Sequence, residues 1–368
     1  MFLQGIIKVN KKKLLIINRT QFGYHIDTFY YCKYLKDQFE ITYFSFDTKR
    51  EKISMNGIKT IYIENEGSLF KKAINFIKSA RDEIQNNNYD IVFINYFQAS
   101  SLVKVGFDQE KFIIDVRTGA IGRTPRRRAF YNAIMVYEIK KFKYRTIISQ
   151  CLQSKLKIPK TNTYILPLGS DVLSTKSKFF QTIKLLYVGT LDSRNIHETV
   201  IAVARFLKKN NTAKLTYDIF GSGYNSNELR LKEVIRDEKL NDIVLFHGRK
   251  EHSELKYYFD NCNIGVSYVP ITDYFDCQPP TKTYEYINSG MFCIATKTQA
   301  NMDLISPKNG VLCLDNPESF SDALEYVSEN MHTFDSKDIQ ETLEQYNWNS
   351  IINNNLIPVF NKTVLKAE

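Results

Sequence analysis

The sequence predicts an α/β protein of two domains, each with a parallel sheet covered by helices. Short apolar stretches alternate with amphipathic helical stretches along the whole chain, a pattern typical of parallel sheets with right-handed crossovers. The alternation starts afresh after a proline–glycine turn near the middle of the 368 residues. This length suits two domains of ordinary size, and 43% apolar residues are enough for two cores.

Six apolar stretches in the first half predict strands. They occupy residues 13–17, 41–46, 57–63, 90–94, 111–116 and 144–149. Helical spacing lies between them, at residues 24–36, 69–84 and 125–142. Ligands of open parallel sheets bind beyond the carboxyl ends of the strands. That rule selects the loops at residues 22–27, 96–100, 117–123 and 149–154.

The second half repeats this alternation without any visible internal repeat of sequence. Strands are predicted at residues 182–188, 215–220, 243–246, 264–269, 292–295 and 310–314. Helices are predicted to begin near Asn195, at Leu255, after the prolines at 279–280, and at Pro317. The second half therefore predicts a parallel sheet of its own.

Residues 279–290 are the most informative stretch and read Pro-Pro-Thr-Lys-Thr-Tyr-Glu-Tyr-Ile-Asn-Ser-Gly. A proline suits the first position of a helix and Gly290 suits its end. Free amide groups at a helix start attract phosphate, and Lys282 adds a positive charge beside them. Glu285, one turn later, can accept two hydrogen bonds from a diol such as a ribose. These features predict a nucleotide diphosphate site, although an ordinary amphipathic helix with solvated charges has the same spacing.

Part of this stretch resembles the nucleotide-sugar motif of family 4 glycosyltransferases. The matching residues are Pro280, Lys282, Glu285, Tyr286, Gly290 and the Cys-Ile-Ala-Thr run at 293–296. The resemblance implies the GT-B fold, in which two Rossmann-like domains face a cleft, and sugar transfer with retention. It also implies that Glu285 binds the ribose and that the backbone around Pro280, Thr281 and Lys282 holds the diphosphate. The family has a second glutamate eight residues before the first, and this sequence has Cys277 there.

The resemblance also implies a domain organisation. Residues 167–171, Pro-Leu-Gly-Ser-Asp, are similar to the family's linker between domains. An acceptor-side domain would then span residues 1–170 and a nucleotide-sugar domain residues 171–345. Residues 346–368 resemble the last helix of the family, which crosses back to the first domain. Trp348, the only tryptophan, is expected to pack there.

Glycines follow three predicted strands of the second half. They are Gly189, Gly221 with Gly223, and Gly248. Glycine lets the backbone approach a ligand closely. The resemblance places Gly189 beside the diphosphate and Gly248 beside the base, and Gly221 with Gly223 resembles the family's Gly-x-Gly. The family's arginine after the first glycine is Thr190 here. We therefore expect Arg194, near the position of a family lysine, to act with Lys282 in stabilising the departing diphosphate.

Two residues of the first half complete the catalytic candidates. Arg117 opens a loop with two glycines and further arginines that extends to residue 128, and it is predicted to contact the acceptor or the leaving phosphate. His25 lies at the first strand–helix turn and is predicted to face the same cleft. A solvated basic loop and a structural histidine are the simpler alternatives. No cluster of metal ligands is visible. The resemblance implies that no metal or other cofactor is needed, because protein cations neutralise the phosphates of the donor substrate, a nucleotide diphosphate sugar.

The net charge of +10 is unevenly distributed, with +15 on residues 1–170 and −5 on the rest. An anionic partner of the first half is therefore expected, either a phosphorylated acceptor or an anionic membrane surface. The basic residues proposed for lipid headgroups are Arg123, Arg126, Arg127, Arg128, Lys140, Lys141, Lys143 and Arg145. Nucleic acid is not expected as a partner, because no recognition helix or aromatic-basic motif is present.

Several absences favour the cytoplasm. Apolar runs are too short for a membrane-spanning helix. The amino-terminal residues lack the pattern of a signal peptide. The six cysteines are scattered, which argues for a reducing compartment and against zinc. We expect a cytoplasmic protein that can lie at the inner face of the membrane.

The functional hypothesis is a retaining glycosyltransferase that moves a hexosyl or N-acetylhexosaminyl group from a nucleotide diphosphate to an acceptor hydroxyl. The expected setting is glycolipid or surface-polysaccharide assembly. One alternative is a nucleotide-sugar epimerase of the same fold, which would need acid–base carboxylates that the sequence does not reveal. Another is a nucleotide-sugar-binding partner subunit without catalysis, which Cys277 and Thr190 suggest.

Overall fold

The computed structural model describes residues 11–120 and 124–364. The chain divides into two compact units. The first unit consists of Met1–Pro167 together with Trp348–Glu368, and the second unit is Leu168–Asn347. Both are α/β units with a parallel sheet, which confirms the predicted fold class.

In the described part of the first unit, seven parallel strands form one sheet in the order β3-β2-β1-β4-β5-β6-β7. The strands are β1 (Lys12–Ile17), β2 (Phe39–Asp47), β3 (Ile58–Glu64), β4 (Ile91–Asn95), β5 (Phe112–Val116), β6 (Tyr144–Ile147) and β7 (Thr163–Ile165). The helices are α1 (Ile26–Leu35), α2 (Leu69–Asn86), α3 (Pro125–Ile139) and α4 (Gln150–Lys155), with a 3₁₀ turn at Ser100–Leu102. The central strands are buried on both faces, because helices cover both sides of a parallel sheet.

The second unit has a six-stranded parallel sheet in the order β10-β9-β8-β11-β12-β13. The strands are β8 (Ile183–Val188), β9 (Leu215–Phe220), β10 (Val244–Gly248), β11 (Ile264–Ser267), β12 (Phe292–Thr296) and β13 (Gly310–Cys313). The helices are α5 (Ile196–Lys209), α6 (Asn225–Asp237), α7 (His252–Asn261), α8 (Thr281–Asn288), α9 (Gln299–Met302), α10 (Pro317–Asn330) and α11 (Ser336–Glu341).

The end of the chain belongs to the first unit. It forms α12 (Trp348–Ile351), a π-helical turn at Ile352–Leu356 and α13 (Ile357–Val364). Trp348 is buried and stacks on Tyr30 of α1, with ring centroids 5.0 Å apart. Phe360 packs edge-on against Phe39 and Phe93, both at 5.7 Å. The last helices therefore supply part of the core of the first unit.

The predicted lipid-binding patch is wrong in one of its members, Arg145. Arg145 is buried and donates to the carbonyl oxygens of Phe142 and Thr161, so its guanidinium holds β6 to the neighbouring turns. Lys143 pairs with Glu110. Arg123 lies outside the described residues. Among the described helices, none combines the length and apolar character needed to cross a membrane.

Candidate functional site

The ends of β8, β9 and β10 come together through glycines. The amide of Gly189 donates to the carbonyl of Phe220 at 3.0 Å, and the amide of Gly221 donates to the carbonyl of Gly248 at 2.9 Å. A Cβ on Gly221 would lie 1.8 Å from the carbonyl oxygen of Gly189. Glycine at position 221 was predicted to let the backbone approach a ligand. The contact with Gly189 already requires glycine there, whether or not a ligand binds.

A cavity of about 220 Å³ opens beside these strand ends. Its lining combines backbone of the glycine turns with two basic residues and apolar side chains, namely Val188, Gly189, Thr190, Phe220, Gly221, Ser222, Arg249, Lys250 and Leu255. A concave site that combines apolar side chains with a few polar groups is typical of small-molecule binding sites.

Gly223 lies in the turn after β9 and packs against the turn that follows β8. The amide of Gly223 donates to Glu228 at 3.1 Å, and a Cβ there would lie 2.7 Å from Asp192 Oδ1. Asp192 in turn accepts from the amide of Tyr224 at 2.6 Å. No role was predicted for Asp192, which holds the two glycine turns together.

Helix α8 begins where the sequence predicts a phosphate site. Pro280 is the N-cap, with φ −75° and ψ 125°, and not the first helical residue as predicted. Its side chain has no hydrogen-bonding group, so it cannot satisfy the first amides of the helix. The helix ends at Gly290, whose φ of +73° is the left-handed conformation expected of a terminating glycine. The amide of Thr283 donates to the carbonyl of Pro280 at 3.1 Å, and no side chain caps the first turn, so the positive end of α8 still attracts an anion.

Long-range contacts fix α8 against the sheet. The hydroxyl of Tyr286 accepts from the amide of Val188 at the end of β8, at 2.8 Å. Its ring lies over Gly265 of β11, where a Cβ would come within 2.2 Å of the ring. Thr283 donates to Asn301 at 3.0 Å and bonds Ser267 at 2.7 Å. Tyr286 was assigned to the motif, but none of these contacts was predicted, although an isolated glycine in an apolar strand is a signal of such close approach.

Lys282 is the most unusual side chain of the site. Its Nζ is buried and has no hydrogen-bond partner among the described residues. It lies 3.9 Å from the ring centroid of Tyr187, and a Cβ on Gly189 would lie 2.9 Å from it. Burial, with the nearby charge of Arg194, lowers the pKa of Lys282 to about 7. The pocket therefore holds an amine that gains from an incoming negative charge.

Glu285 follows Lys282 by one helical turn and is half-buried. Burial raises the pKa of Glu285 to about 7, and the charge of Lys282 opposes this shift. The carboxylate of Asp171 adds to the shift, which places residue 171 near α8. The same segment is tied to the helix by Asn288, which donates to Ser170 at 2.7 Å. Lys282 and Glu285 thus form a pair of perturbed charges, which is a frequent property of functional sites.

Arg194 and Thr190 frame the same region. The guanidinium carbon of Arg194 lies 4.1 Å from the ring centroid of Phe275, and burial lowers the pKa of Arg194. Thr190 is exposed, and its carbonyl accepts from Tyr187 at 2.6 Å. The charges of Arg194, Lys282 and Glu285 therefore interact, and Gly189 lies beside the amine of Lys282.

In the first unit, Arg117 is buried inside the fold. Its Nε donates to Asp27 at 2.6 Å and its Nη1 to the carbonyl of Leu166 at 2.6 Å, while Nη2 is buried without a partner among the described atoms. Burial alone would lower the pKa of Arg117, but the charge of Asp27 raises it above the ordinary value. This geometry gives Arg117 a structural part in the first unit, and its predicted contact with the acceptor or the leaving phosphate stays a prediction.

His25 is the N-cap of α1. Its Nδ1 accepts from the amide of Thr28 at 3.3 Å, which leaves the ring proton on Nε2. Burial lowers the pKa of His25, so the neutral ring is favoured near neutral pH. Residues 121–123 of the predicted acceptor loop lie outside the described residues.

The family described as glycosyl transferases group 1 matches residues 174–345. That range contains all the residues of the second-unit site from Gly189 to Glu285. Curated protein sequences include no match to this chain.

Solved structures share the whole two-unit fold. Sucrose-phosphate synthase from Thermosynechococcus elongatus has a TM-score of 0.74 at 14% identity, over 97% of this chain and 100% of the other. Anabaena Alr3699/HepE in complex with UDP has a TM-score of 0.74 at 13% identity, over 95% and 99%. The lipopolysaccharide outer core galactosyltransferase WaaB has 0.71 at 16%, over 97% and 100%. At such identities the likeness establishes the fold alone.

The family match rests on the unit that holds Lys282 and Glu285, and the fold is that of GT-B glycosyltransferases throughout. Residues 174–345 thus match the group 1 glycosyl transferases, and this match together with the fold supports an enzyme that transfers a sugar from a nucleotide donor.

Proposed function

We propose that the enzyme binds the diphosphate of a nucleotide sugar at the start of α8 and transfers the sugar with retention to an acceptor hydroxyl. The observation that carries this proposal is the buried Nζ of Lys282, which has no partner in the described chain. A diphosphate would supply the missing negative charge, and the open amides of α8 would bind its oxygens.

The other parts of the donor would bind around Lys282. Glu285 would accept both ribose hydroxyls, because it lies one turn beyond the phosphate end of α8. Arg194 would join Lys282 on the diphosphate. The cavity beside Gly248 and Arg249 is open on that side, since nothing lies within 4 Å of a Cβ built on Gly248, and would take the base.

The cations would also carry most of the catalysis. As the glycosidic bond to phosphate breaks, charge develops on the diphosphate, and groups placed to receive it typically contribute about 10²–10³ in rate each. The acceptor hydroxyl would attack on the face that the diphosphate leaves, forming the new glycosidic bond as the old one breaks, and its proton would pass to the departing diphosphate. This course would give retention without an enzyme nucleophile. We propose that Lys282 and Arg194 neutralise the leaving group without metal or other cofactor, so a chelator should not change the rate.

The acceptor is proposed to be a glycolipid or a growing surface polysaccharide at the inner face of the membrane. The basic first half of the sequence supports an anionic or membrane-bound acceptor. The similar fold of an enzyme named for lipopolysaccharide outer core assembly supports the same setting. His25, with its Nε2 proton, is the first-unit residue proposed to reach the substrate.

A thermal-shift panel of UDP, GDP and ADP tests the donor site. A ligand that binds the folded state raises its stability by RT ln(1 + [L]/Kd), so one of the three should raise the melting temperature and identify the base. UDP is the first choice, since a protein of similar fold is known in complex with it. If none of the three stabilises the protein, the donor site is misplaced.

The stereochemistry needs a turnover assay. Proton NMR of the anomeric signal in the product should show the same configuration as the donor, and the opposite configuration would contradict retention. The same spectra separate the alternatives. Conversion of the donor sugar without acceptor would indicate an epimerase, and tight binding without turnover would indicate a partner subunit.

A further inference from the structure

Exposed apolar side chains of the first unit are concentrated on one group of elements. Nine large apolar side chains are strongly exposed in the described part of this unit. All except Ile26 lie on α2, on α3 or on the 3₁₀ turn and the loop that follows it; they are Leu69, Phe70, Ile74, Leu102, Val105, Phe130, Tyr131 and Tyr137. Such a concentration marks an interaction surface.

Direct hydrogen bonds join these elements into one layer. Arg81 of α2 donates to the carbonyls of Leu102 and Val105, at 3.0 and 2.6 Å. Glu138 of α3 accepts from the amide of Ala99 and the hydroxyl of Ser101, at 3.1 and 3.2 Å. Both helices belong to right-handed crossovers that run in the same direction along the sheet, so they cover the same face. The eight apolar side chains together with this layer's exposed cations are called the α2–α3 face below.

Helix α3 presents aromatic and basic side chains in one stripe. Arg126, Phe130, Tyr137 and Lys141 follow at steps of four, seven and four residues, which return to the same side of a helix. Phe130 is 63% and Tyr137 67% exposed. The Nζ of Lys141, just after the helix, lies 4.4 Å from the ring centroid of Tyr137. Rings flanked by cations are typical of helices that lie in the interface of a bilayer.

The charge of this face is strongly positive. Its exposed cations are Lys71, Lys78, Arg126, Arg127, Lys140 and Lys141. On α2 and α3 the acids are few: Asp82 is exposed, Glu83 accepts from Tyr89, and Glu138 is buried beneath α3. A second copy of the chain docking through the same face would bring like charges together, whereas anionic headgroups complement them.

We propose that the α2–α3 face docks on the surface of a bilayer that contains anionic phospholipid. Phe130 and Tyr137 enter the interface, and the flanking cations bind headgroup phosphates. Docking on this face would bring the enzyme to the proposed membrane-linked acceptor. Only this biological role of the docking rests on the proposed function. Binding is measured without donor or acceptor, so its failure leaves the donor site and sugar transfer untouched.

Co-sedimentation of the full chain with vesicles tests the proposal, using phosphatidylcholine with and without phosphatidylglycerol. Wild-type protein should sediment with the anionic vesicles and much less with the neutral ones. The Lys140→Gln, Lys141→Gln double variant should bind about 25-fold more weakly, since each cation contributes roughly fivefold. The Phe130→Ser, Tyr137→Ser double variant should lose about tenfold or more.

The matched control is Phe179→Ser, Tyr257→Ser, which removes two rings of the second unit that are 80% and 67% exposed. This control should bind as the wild type does. Equal loss in the control, or wild-type binding by either α3 variant, overturns the assignment. So does a wild-type dimer in solution that the Phe130→Ser, Tyr137→Ser variant converts to monomer, because the face would then be covered by a second copy.

Discussion

Each unit buries a cation near the carboxyl ends of its strands, and the two cations differ in their partners. Arg117 of the first unit has the carboxylate of Asp27 at 2.6 Å. Lys282 of the second unit has no acid at ion-pair distance in the part of the chain that the structure describes, and its Nζ has no hydrogen bond. A neutralised buried cation stabilises a fold, whereas an open one stores an energetic cost that a ligand can relieve.

Replacing Arg117 should produce the largest loss of stability. Arg117→Met leaves Asp27 buried without its partner, which typically costs about 3–5 kcal/mol. Urea unfolding followed by fluorescence should therefore show a clearly lower midpoint. A stable variant that has lost activity would reverse the comparison and give Arg117 the catalytic part first predicted for it.

Replacing Lys282 should have the opposite signature. Lys282→Met removes a buried amine without a partner, so the midpoint of unfolding should stay the same or rise. Donor turnover should fall by about 10²–10³, the usual effect of losing one group that stabilises developing charge. Steady-state kinetics with saturating acceptor measure this, and near-normal turnover would contradict the donor site.

Glu285→Ala should weaken donor binding by about 1–3 kcal/mol, the cost of leaving polar partners unsatisfied. Calorimetric titration with the nucleoside diphosphate measures the change, and near-UV circular dichroism checks that the fold is retained. Glu329→Ala on α10 provides an exposed carboxylate as control. If Glu285→Ala binds the nucleoside diphosphate with wild-type affinity, Glu285 does not bind the ribose.

The smallest effect concerns pH. Burial lowers the pKa of Lys282 to about 7 in the free enzyme, and a bound diphosphate would raise it again. Binding that needs the charged amine is therefore complete below pH 7 and weakens as pH rises through that value, by up to about tenfold per pH unit. Titrations across this range should show the decline in the wild type and none in Lys282→Met. Glu285→Gln should lower the pH at the midpoint of this decline, because the carboxylate of Glu285 favours the charged amine of Lys282.

Much of the fold was accessible from the sequence because parallel strands are locally recognisable. The alternation of apolar strands and helices predicted both sheets, and the left-handed Gly290 was predicted from its place after a helical run. The edge strand β7 was missed, since three residues at Thr163–Ile165 are too short for a pattern. The start of α8 was misplaced by one residue, because a proline suits several positions there.

The details of the site depend on contacts that sequence spacing does not encode. Tyr286 and Val188 are 98 residues apart, yet their hydrogen bond fixes α8 against β8. Arg145 was predicted to be a surface cation because local composition is basic, and only the fold shows its burial. Lys282 likewise lies beside Tyr187 and Gly189, which a single sequence cannot place next to it.

The return of the last helices to the first unit has a consequence for biosynthesis. The second unit is continuous in sequence and can fold on the ribosome once Asn347 has emerged, whereas the first unit waits for Trp348 and Phe360. The usual order of domain folding during translation, amino-terminal first, is therefore reversed. A nascent chain halted near residue 347 should yield a protease-resistant second unit and a first unit that is still cleaved, and ribosome release should protect both.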